Sequence, residues 1–425
     1  MKRLAFASAA GTALEYYDFA VYNTLAALVF GKLFFPSFDP TAALLLSFAT
    51  YWLGYLSRPF GGLLFGRLGD LRGRRHVLVI TLLIMGITTT AVGLLPTYQS
   101  AGVMAPLLLV ALRFAQGMAL GGEWAGAVLL SVEHGRNDQR GRNASWAQMG
   151  PSIGVVIASG VIALTTWLVP ADDFAAWGWR LPLLGSLLLV VFGLWIRLGV
   201  DETPQFRALE TDHARSRAPL GEVWRGHRRG LLVAGGSRFG PDVMYSMISA
   251  FTLSYMTVQL GLTRTLATTA LAIGAAVNAA CIFIAGGLSD RFGTRAVYLA
   301  GVAAAAGWLW IYFPLLETKT DAGVILAFAG GLAIHAFMYG PQGAFITEQF
   351  PTRVRYAGAS LAYTFAGVFA GGLAPLAMAA LYRGYGTTVV VVLYATVALG
   401  VTTAALMAKG GVATSPATAP SHERM

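Results

Sequence analysis

"GRLGDLRGRR", Gly66 to Arg75, returns as "GGLSDRFGTR", Gly286 to Arg295, at a constant offset of 220 residues. Gly66 then matches Gly286, Asp70 matches Asp290, Gly73 matches Gly293 and Arg75 matches Arg295, while Leu71 faces Arg291. A second pair, "EHGRNDQRGRNAS" from Glu133 and "EQFPTRVRYAGAS" from Glu348, aligns at an offset of 215 and matches Glu133 with Glu348 and Arg140 with Arg355. Two independent motifs, each repeated after about half of the chain, predict a duplicated architecture. The chemistry of the first motif suits a tight turn between two helices: glycines permit the turn and arginines suit anionic headgroups. Its aspartate suits a hydrogen bond from a neighbouring helix N-terminus, or a pair with an arginine.

Around these motifs the chain is 56% hydrophobic and only 12% charged, about half the charged share of a soluble domain, with a mean hydropathy of +0.63. Apolar runs of about 20 residues recur along its whole length, which predicts an all-α integral membrane protein. Twelve transmembrane helices are expected, at 8–31, 43–66, 77–96, 103–132, 146–168, 179–198, 230–259, 264–288, 296–314, 323–346, 357–381 and 387–408. They divide into two pseudo-symmetric six-helix bundles, 1–200 and 230–408, joined by the polar stretch 201–229. Residues 409–425, small and polar, read as a disordered tail.

An even number of crossings puts both termini on one side. With the N-terminus cytoplasmic, inside segments hold 22 of the 30 Lys and Arg, the outside loops five and the spans three, as the positive-inside rule requires. Scattered over separate short loops, these arginines form no nucleic-acid-binding face. The start "MKRLAFASAAGTA" imitates a signal peptide, but the apolar run continues through Glu15 and Asp18 to Phe30 and is expected to remain as a span. Cys281 is a single cysteine, and the sequence has no CxxC, HExxH or GxxxxGK, so no cofactor or metal is expected.

The repeated loop resembles the signature of the major facilitator superfamily, found between spans two and three and again between spans eight and nine. Leu71 departs from the usual basic residue of that signature, and Arg291 keeps it. Within the superfamily the chain is similar to the metabolite:proton symporters, the group of shikimate, 2-oxoglutarate, citrate and proline/betaine permeases. That similarity lies in "EYYDF" at Glu15, "SRPFGG" at Ser57, "RFAQGMALGGEW" at Arg113, "DETPQF" at Asp201 and "EQFPTRVRYAG" at Glu348. The resemblance implies a non-enzymatic secondary transporter of the cell membrane, acting as a monomer, whose two bundles rock about a central site. Its expected cargo is a small organic acid imported with protons; a zwitterion carrier and a proton-driven exporter are the alternatives.

Away from the ends of the expected spans lie seven Asp, Glu and Arg residues: Glu15, Asp18, Arg58, Arg113, Glu123, Arg238 and Asp242. Such groups are functional candidates by default, because lipid does not tolerate them. Asp18 and Arg113 each lie roughly 15 Å into their helices, near mid-membrane. Asp18 is the expected proton carrier with Glu15 as the second choice, provided that they face a wet central path; the alternative is that both acids are permanent partners of arginines. Arg113 and Arg238, from opposite halves, suit a bidentate clamp on a carboxylate. Asp242, four residues after Arg238, is also placed to occupy that guanidinium. Gln116, Tyr17, Tyr22, Tyr245, Asn278, His335, Tyr339 and Gln342 offer polar contacts to substrate, though each also reads as helix packing. Arg58 and Glu123, nearer the cytoplasmic ends, are expected to pair with each other. The two repeated motifs are expected to control conformational exchange, through Gly66, Asp70, Gly73, Arg75, Glu133 and Arg140 and through Gly286, Asp290, Arg291, Gly293, Arg295, Glu348 and Arg355.

Overall fold

The structure is a computed structural model that describes residues 2–37, 40–198 and 219–408. The expected tail at 409–425 and residues 201–218 of the linker lie outside the described residues. Helix α1 runs from Lys2–Leu25 through a wide π-turn at Ala26–Phe30 to Gly31–Phe34, and α2 is Pro40–Arg72. Then follow α3 (Arg74–Leu94), α4 (Met104–His134), α5 (Arg140–Leu168) and α6 (Arg180–Leu198). The second half begins with α7, from Arg228–Ser237 through Phe239–Ser246 and a π-turn at Met247–Phe251 towards Gln259. It continues with α8 (Arg264–Phe292), α9 (Thr294–Glu317), α10 (Asp321–Glu348), α11 (Arg355–Gly367, bending through Val368–Leu373 into Ala374–Tyr385) and α12 (Val389–Met407).

Nine of the described helices are long and apolar enough to cross a membrane by composition alone. The three long rods outside that set, α1, α2 and α7, carry Glu15 and Asp18, Arg58, and Arg238 and Asp242, so the polar groups that lower their hydropathy are the candidates themselves. Several helices outrun their expected spans. Residues 43–66 become Pro40–Arg72 and 264–288 become Arg264–Phe292, because each helix continues until a glycine turns it: Gly73 at φ 106° and Gly293 at φ 91°, backbone that L side chains rarely adopt. Asp70 and Asp290 therefore stand in the last turns of helices and not in loops.

Within the first half α1 packs on α5 and α2 on α4; within the second, α8 and α9 pack on α10. Across the halves α5 meets α8 and α2 meets α11. The α2–α4 crossing is close because it is built on glycine. A Cβ on Gly117 would lie 2.1 Å from the Gly54 carbonyl oxygen, and one on Gly121 would lie 2.1 Å from the Arg58 carbonyl oxygen. Large apolar side chains cover the outside: Trp167 is 80% exposed, Leu188 76% and Leu232 77%, which suits lipid. Near the end that carries the repeated motifs, called here the motif face, one apolar cluster draws on both halves, with Trp124 and Val128 against Ala344, Phe350, Tyr356 and Tyr363. Part of the polar linker joins it: Pro219–Gly226 is a short helix that buries Val223 there and pairs Glu222 with Arg353 at 2.5 Å.

Candidate functional site

Arg113 is fully buried on α4. Its Nη1 donates to Gln116 Oε1 at 3.2 Å and its Nη2 to Asn23 Oδ1 at 3.2 Å. The guanidinium lies 4.3 Å from the Phe19 ring centre and 3.9 Å from that of Tyr22. Gln116 Nε2 in turn donates to Thr89 Oγ1 on α3 at 2.8 Å. Beside Thr89 stands the Asp18 carboxyl of α1, which also faces Ser186 of α6 and is buried to 4% exposure. One of its oxygens, Oδ1, has no hydrogen-bond partner among the described residues. The structure thus brings together an acid and a cation through two neutral polar side chains, in the order Asp18, Thr89, Gln116, Arg113.

Both acids are buried, and they face different neighbours, Glu15 acting on Tyr356 of the second half. Asp18 turns inward to α3 and α6, inside its own bundle, and Glu15 is 1% exposed. Tyr17 likewise turns away, its hydroxyl donating to the Pro182 carbonyl of α6 at 2.8 Å, while Tyr22 bonds to Thr50 at 2.7 Å beneath Arg113. The expected pair of Arg58 and Glu123 is not among the ion pairs of the described residues. Glu123 accepts from Thr12 at 3.1 Å, whereas the Arg58 guanidinium lies 3.7 Å over the Tyr55 ring and 4.9 Å from that of Phe19. Arg58 is 2% exposed, and its Nε and Nη2 have no hydrogen-bond partner among the described residues. Attraction to the rings is worth up to about 2 kcal/mol, less than the several kcal/mol that desolvating an ion costs.

In the second half Arg238 is already engaged. Its Nε meets Asp242 Oδ2 at 2.7 Å, its Nη1 donates to the Tyr363 carbonyl, and its Cζ lies 3.2 Å over the Tyr363 ring. The other candidates there join helices. Asn278 accepts from Ser152 at 2.7 Å and donates to His335 Nδ1 at 3.1 Å. His335 stacks between Tyr245 and Tyr339, and the Tyr339 hydroxyl meets that of Tyr363 at 3.3 Å. Gln342 donates to the Tyr298 hydroxyl at 2.9 Å, on the far side towards α9.

At the motif face the halves interlock twice in the same way. Asp70 accepts from the Ala357 N–H at the start of α11, at 2.9 Å, and Asp290 accepts from Gly141 and Arg142 at the start of α5, at 2.7 and 2.9 Å. Each carboxylate thus meets the positive end of the opposite half's helix. Glu133 lies 3.7 Å from Arg355, and Glu348 lies 3.9 Å from Arg140. Gly66 and Gly286 let the backbones approach: a Cβ would stand 3.1 Å from Ala357 Cα and 2.7 Å from the Gly141 carbonyl oxygen respectively. Arg75 and Arg295 reach the last described carbonyls of their own halves, Leu198 at 2.7 Å and Ala408 at 3.4 Å. Arg291 is exposed beside Phe292 and touches none of this lock.

Several polar residues of these clusters escaped the sequence reading, Asn23 beside Arg113 and Thr50 beside Tyr22 among them. Arg74, fully buried, lies 3.7 Å from Asp70 and 3.6 Å from Glu133, but Thr294 stands in its place in the second copy, so the repeat comparison passes over it. Thr89 and Ser186 look like ordinary helical hydroxyls, and only their position beside Asp18 distinguishes them. An Asp70→Asn variant is expected to lose the charge that faces the α11 terminus, about 1 kcal/mol. That is enough to shift the population towards an open motif face by about fivefold. Spin labels at the motif-face ends of α2 and α11 report the distance; an unchanged distribution would show that the interlock does not hold this face shut.

Twelve long helices among the described residues, in two interlocked repeats with charges buried among them, define a membrane transporter of the major facilitator type. The chain belongs to the sugar (and other) transporter family, whose model matches residues 4–226 and again residues 209–408. It is 36% identical over 406 residues to the inner membrane metabolite transport protein YhjE of Escherichia coli (strain K12), covering 94% of this chain and 92% of that one. It is also 36% identical over 416 residues to the shikimate transporter of the same organism, covering 96% and 94%. A proline/betaine transporter of Salmonella typhimurium (strain LT2) is 32% identical over 386 residues, covering 87% of this chain and 76% of that one. A solved structure of the proton:xylose symporter XylE, bound to 6-bromo-6-deoxy-D-glucose, superposes with a TM-score of 0.78 at 15% identity, over 95% of this chain and 94% of that one. That likeness is one of fold.

Proposed function

We propose that this transporter imports a small organic acid together with protons across the cytoplasmic membrane, with the motif face inward and residues 1–200 and 230–408 as its two moving bundles. The observation that carries this reading is the chain from Asp18 through Thr89 and Gln116 to Arg113. Thr89 has one hydroxyl proton, which it donates to the Met85 carbonyl at 2.9 Å while its oxygen accepts from Gln116. An ionised Asp18 draws that proton to itself, and a protonated Asp18 releases it. Either change reorients the hydroxyl that Gln116 holds, and Gln116 holds Arg113. Proton binding at Asp18 is thereby felt at the guanidinium that receives the substrate's carboxylate, although the two groups need not touch.

Glu133, Arg140, Glu348 and Arg355 work in this reading with Asp70 and Asp290 as the inner gate. Behind them Trp124 stacks on Tyr363 at 3.7 Å between ring centres, and Gln148 bridges Trp124 to the Tyr339 carbonyl. The name of the shikimate relative supports an organic acid. A zwitterion is the second reading, supported by the proline/betaine relative and by Asp242, which puts an acid beside Arg238 in the opposite half. The test is uptake by proteoliposomes of purified protein, with external pH recorded. Alkalinisation on adding shikimate or another small acid, competed by the free acid and not by its methyl ester, is the expected result. A transient given by glycine betaine alone would transfer the function to the second reading, and no transient with any solute would reject proton coupling.

A further inference from the structure

Arg58 forms no ion pair among the described residues, although its charge reaches Asp242 of the second half. Arg238 has Asp242, and Glu123 has Thr12, but Nε and Nη2 of Arg58 are buried and without a hydrogen-bond partner among the described residues. Its contacts are ring faces, and ring faces do not satisfy N–H donors held away from water. One of those rings, Phe19, is shared: Arg58 lies 4.9 Å and Arg113 4.3 Å from its centre. Two guanidinium groups around one ring repel each other, and that repulsion is relieved by an anion between or beside them.

Their separation is also built in. Arg58 is on α2 and Arg113 on α4, and those helices meet through Gly54, Gly117 and Gly121, where an added Cβ would come within 2.1 Å of backbone oxygen at two of the three. That close contact fixes the spacing of the two helices that carry the arginines. The third cation, Arg238, is excluded as a partner by its ion pair with Asp242.

We propose that Arg58 is a second anion-binding residue of the transport site, which with Arg113 receives the two carboxylates of a dicarboxylic acid on either side of Phe19. The inference rests on the organic-acid reading above and narrows it from acids in general to diacids. It places both anion contacts in the first bundle, so that the second bundle closes over a substrate already held.

The probes are 2-oxoglutarate, succinate and citrate with their monomethyl esters, measured by thermal stabilisation and equilibrium binding on purified full-length wild type, Arg58→Gln and Arg58→Lys. Wild type is expected to bind at least one diacid about tenfold or more tightly than its monoester, the effect of one charge-assisted contact. Arg58→Gln is expected to erase that preference while keeping the monoester affinity within about twofold, and Arg58→Lys to restore part of it. A purely structural role for Arg58 would weaken diacid and monoester alike. If Arg58→Gln retains the wild-type preference, or loses both ligands equally while remaining folded, Arg58 is not an anion contact and the organic-acid reading survives. If wild type binds monoacids such as shikimate but no diacid, the diacid assignment fails alone; if it binds no free acid, both readings fall.

Discussion

Replacing Asp18 by asparagine is expected to abolish accumulation driven by a pH gradient while leaving exchange of labelled for unlabelled substrate at a rate comparable with wild type. Asparagine is close in size to aspartate and keeps an oxygen beside Thr89 and Ser186, so the packing of α1 against α3 and α6 persists. It cannot take up or release a proton at any working pH. The link to Arg113 is then fixed in one state, and the loaded carrier moves in both directions without coupling. Proteoliposomes loaded with unlabelled substrate report exchange, and empty ones with an imposed gradient report accumulation. A Thr89→Val variant sharpens the result, because it keeps the acid and cuts the connection: accumulation should fall severalfold although a proton is still bound. Normal gradient-driven accumulation by Asp18→Asn would remove Asp18 from the coupling mechanism and return attention to Glu15.

Arg113→Lys is expected to weaken substrate binding by about two orders of magnitude, and Arg238→Lys by far less. The Arg113 guanidinium donates from separate nitrogens to Asn23 and Gln116 while its faces rest on Phe19 and Tyr22. A lysine ammonium is a compact point charge that cannot span those contacts and present a planar edge to a carboxylate. Losing hydrogen bonds to a charged group costs about 1.5–3 kcal/mol each, and about 1.4 kcal/mol is a factor of ten in affinity. Arg238, by contrast, points its Nε at Asp242 and leans on Tyr363, so its replacement changes the second bundle and not the anion contact. Equilibrium binding of the tightest acid found for wild type decides between the two; equal losses would restore a clamp made from opposite halves.

Fold and site were legible in the sequence to different depths, for physical reasons. The twelve crossings and their duplication follow from apolar runs of bilayer length and from motifs at constant offsets, both properties of the chain in order. Helix ends were less clear, because the helices around Asp70 and Asp290 continue past the apolar stretch until a glycine stops them. The partners of the second motif at the motif face were not legible in the alignment. Alignment puts Glu133 in register with Glu348, but contact joins Glu133 to Arg355 and Glu348 to Arg140, across the halves. Depth along a helix placed Arg238 level with Arg113 but could not reveal which way it turns, and Asp242, one turn on, decided that. Thr89 and Ser186 carry no pattern, since a helical threonine usually bonds its own backbone, as Thr88 does to Ile84 at 2.6 Å.

The two carboxylates at the motif face make a contact of a particular kind. What Asp70 does to the start of α11, Asp290 does to the start of α5, and the acid–arginine pairs repeat the same exchange. Reciprocity of this sort, in which one surface grips a second and is gripped by the same surface in return, is the contact pattern of an isologous homodimer. A single polypeptide here plays both protomers. The grip itself uses no residue of the peptide connection between the halves, and what holds it is the recognition of one half by the other, as it would be between two free copies.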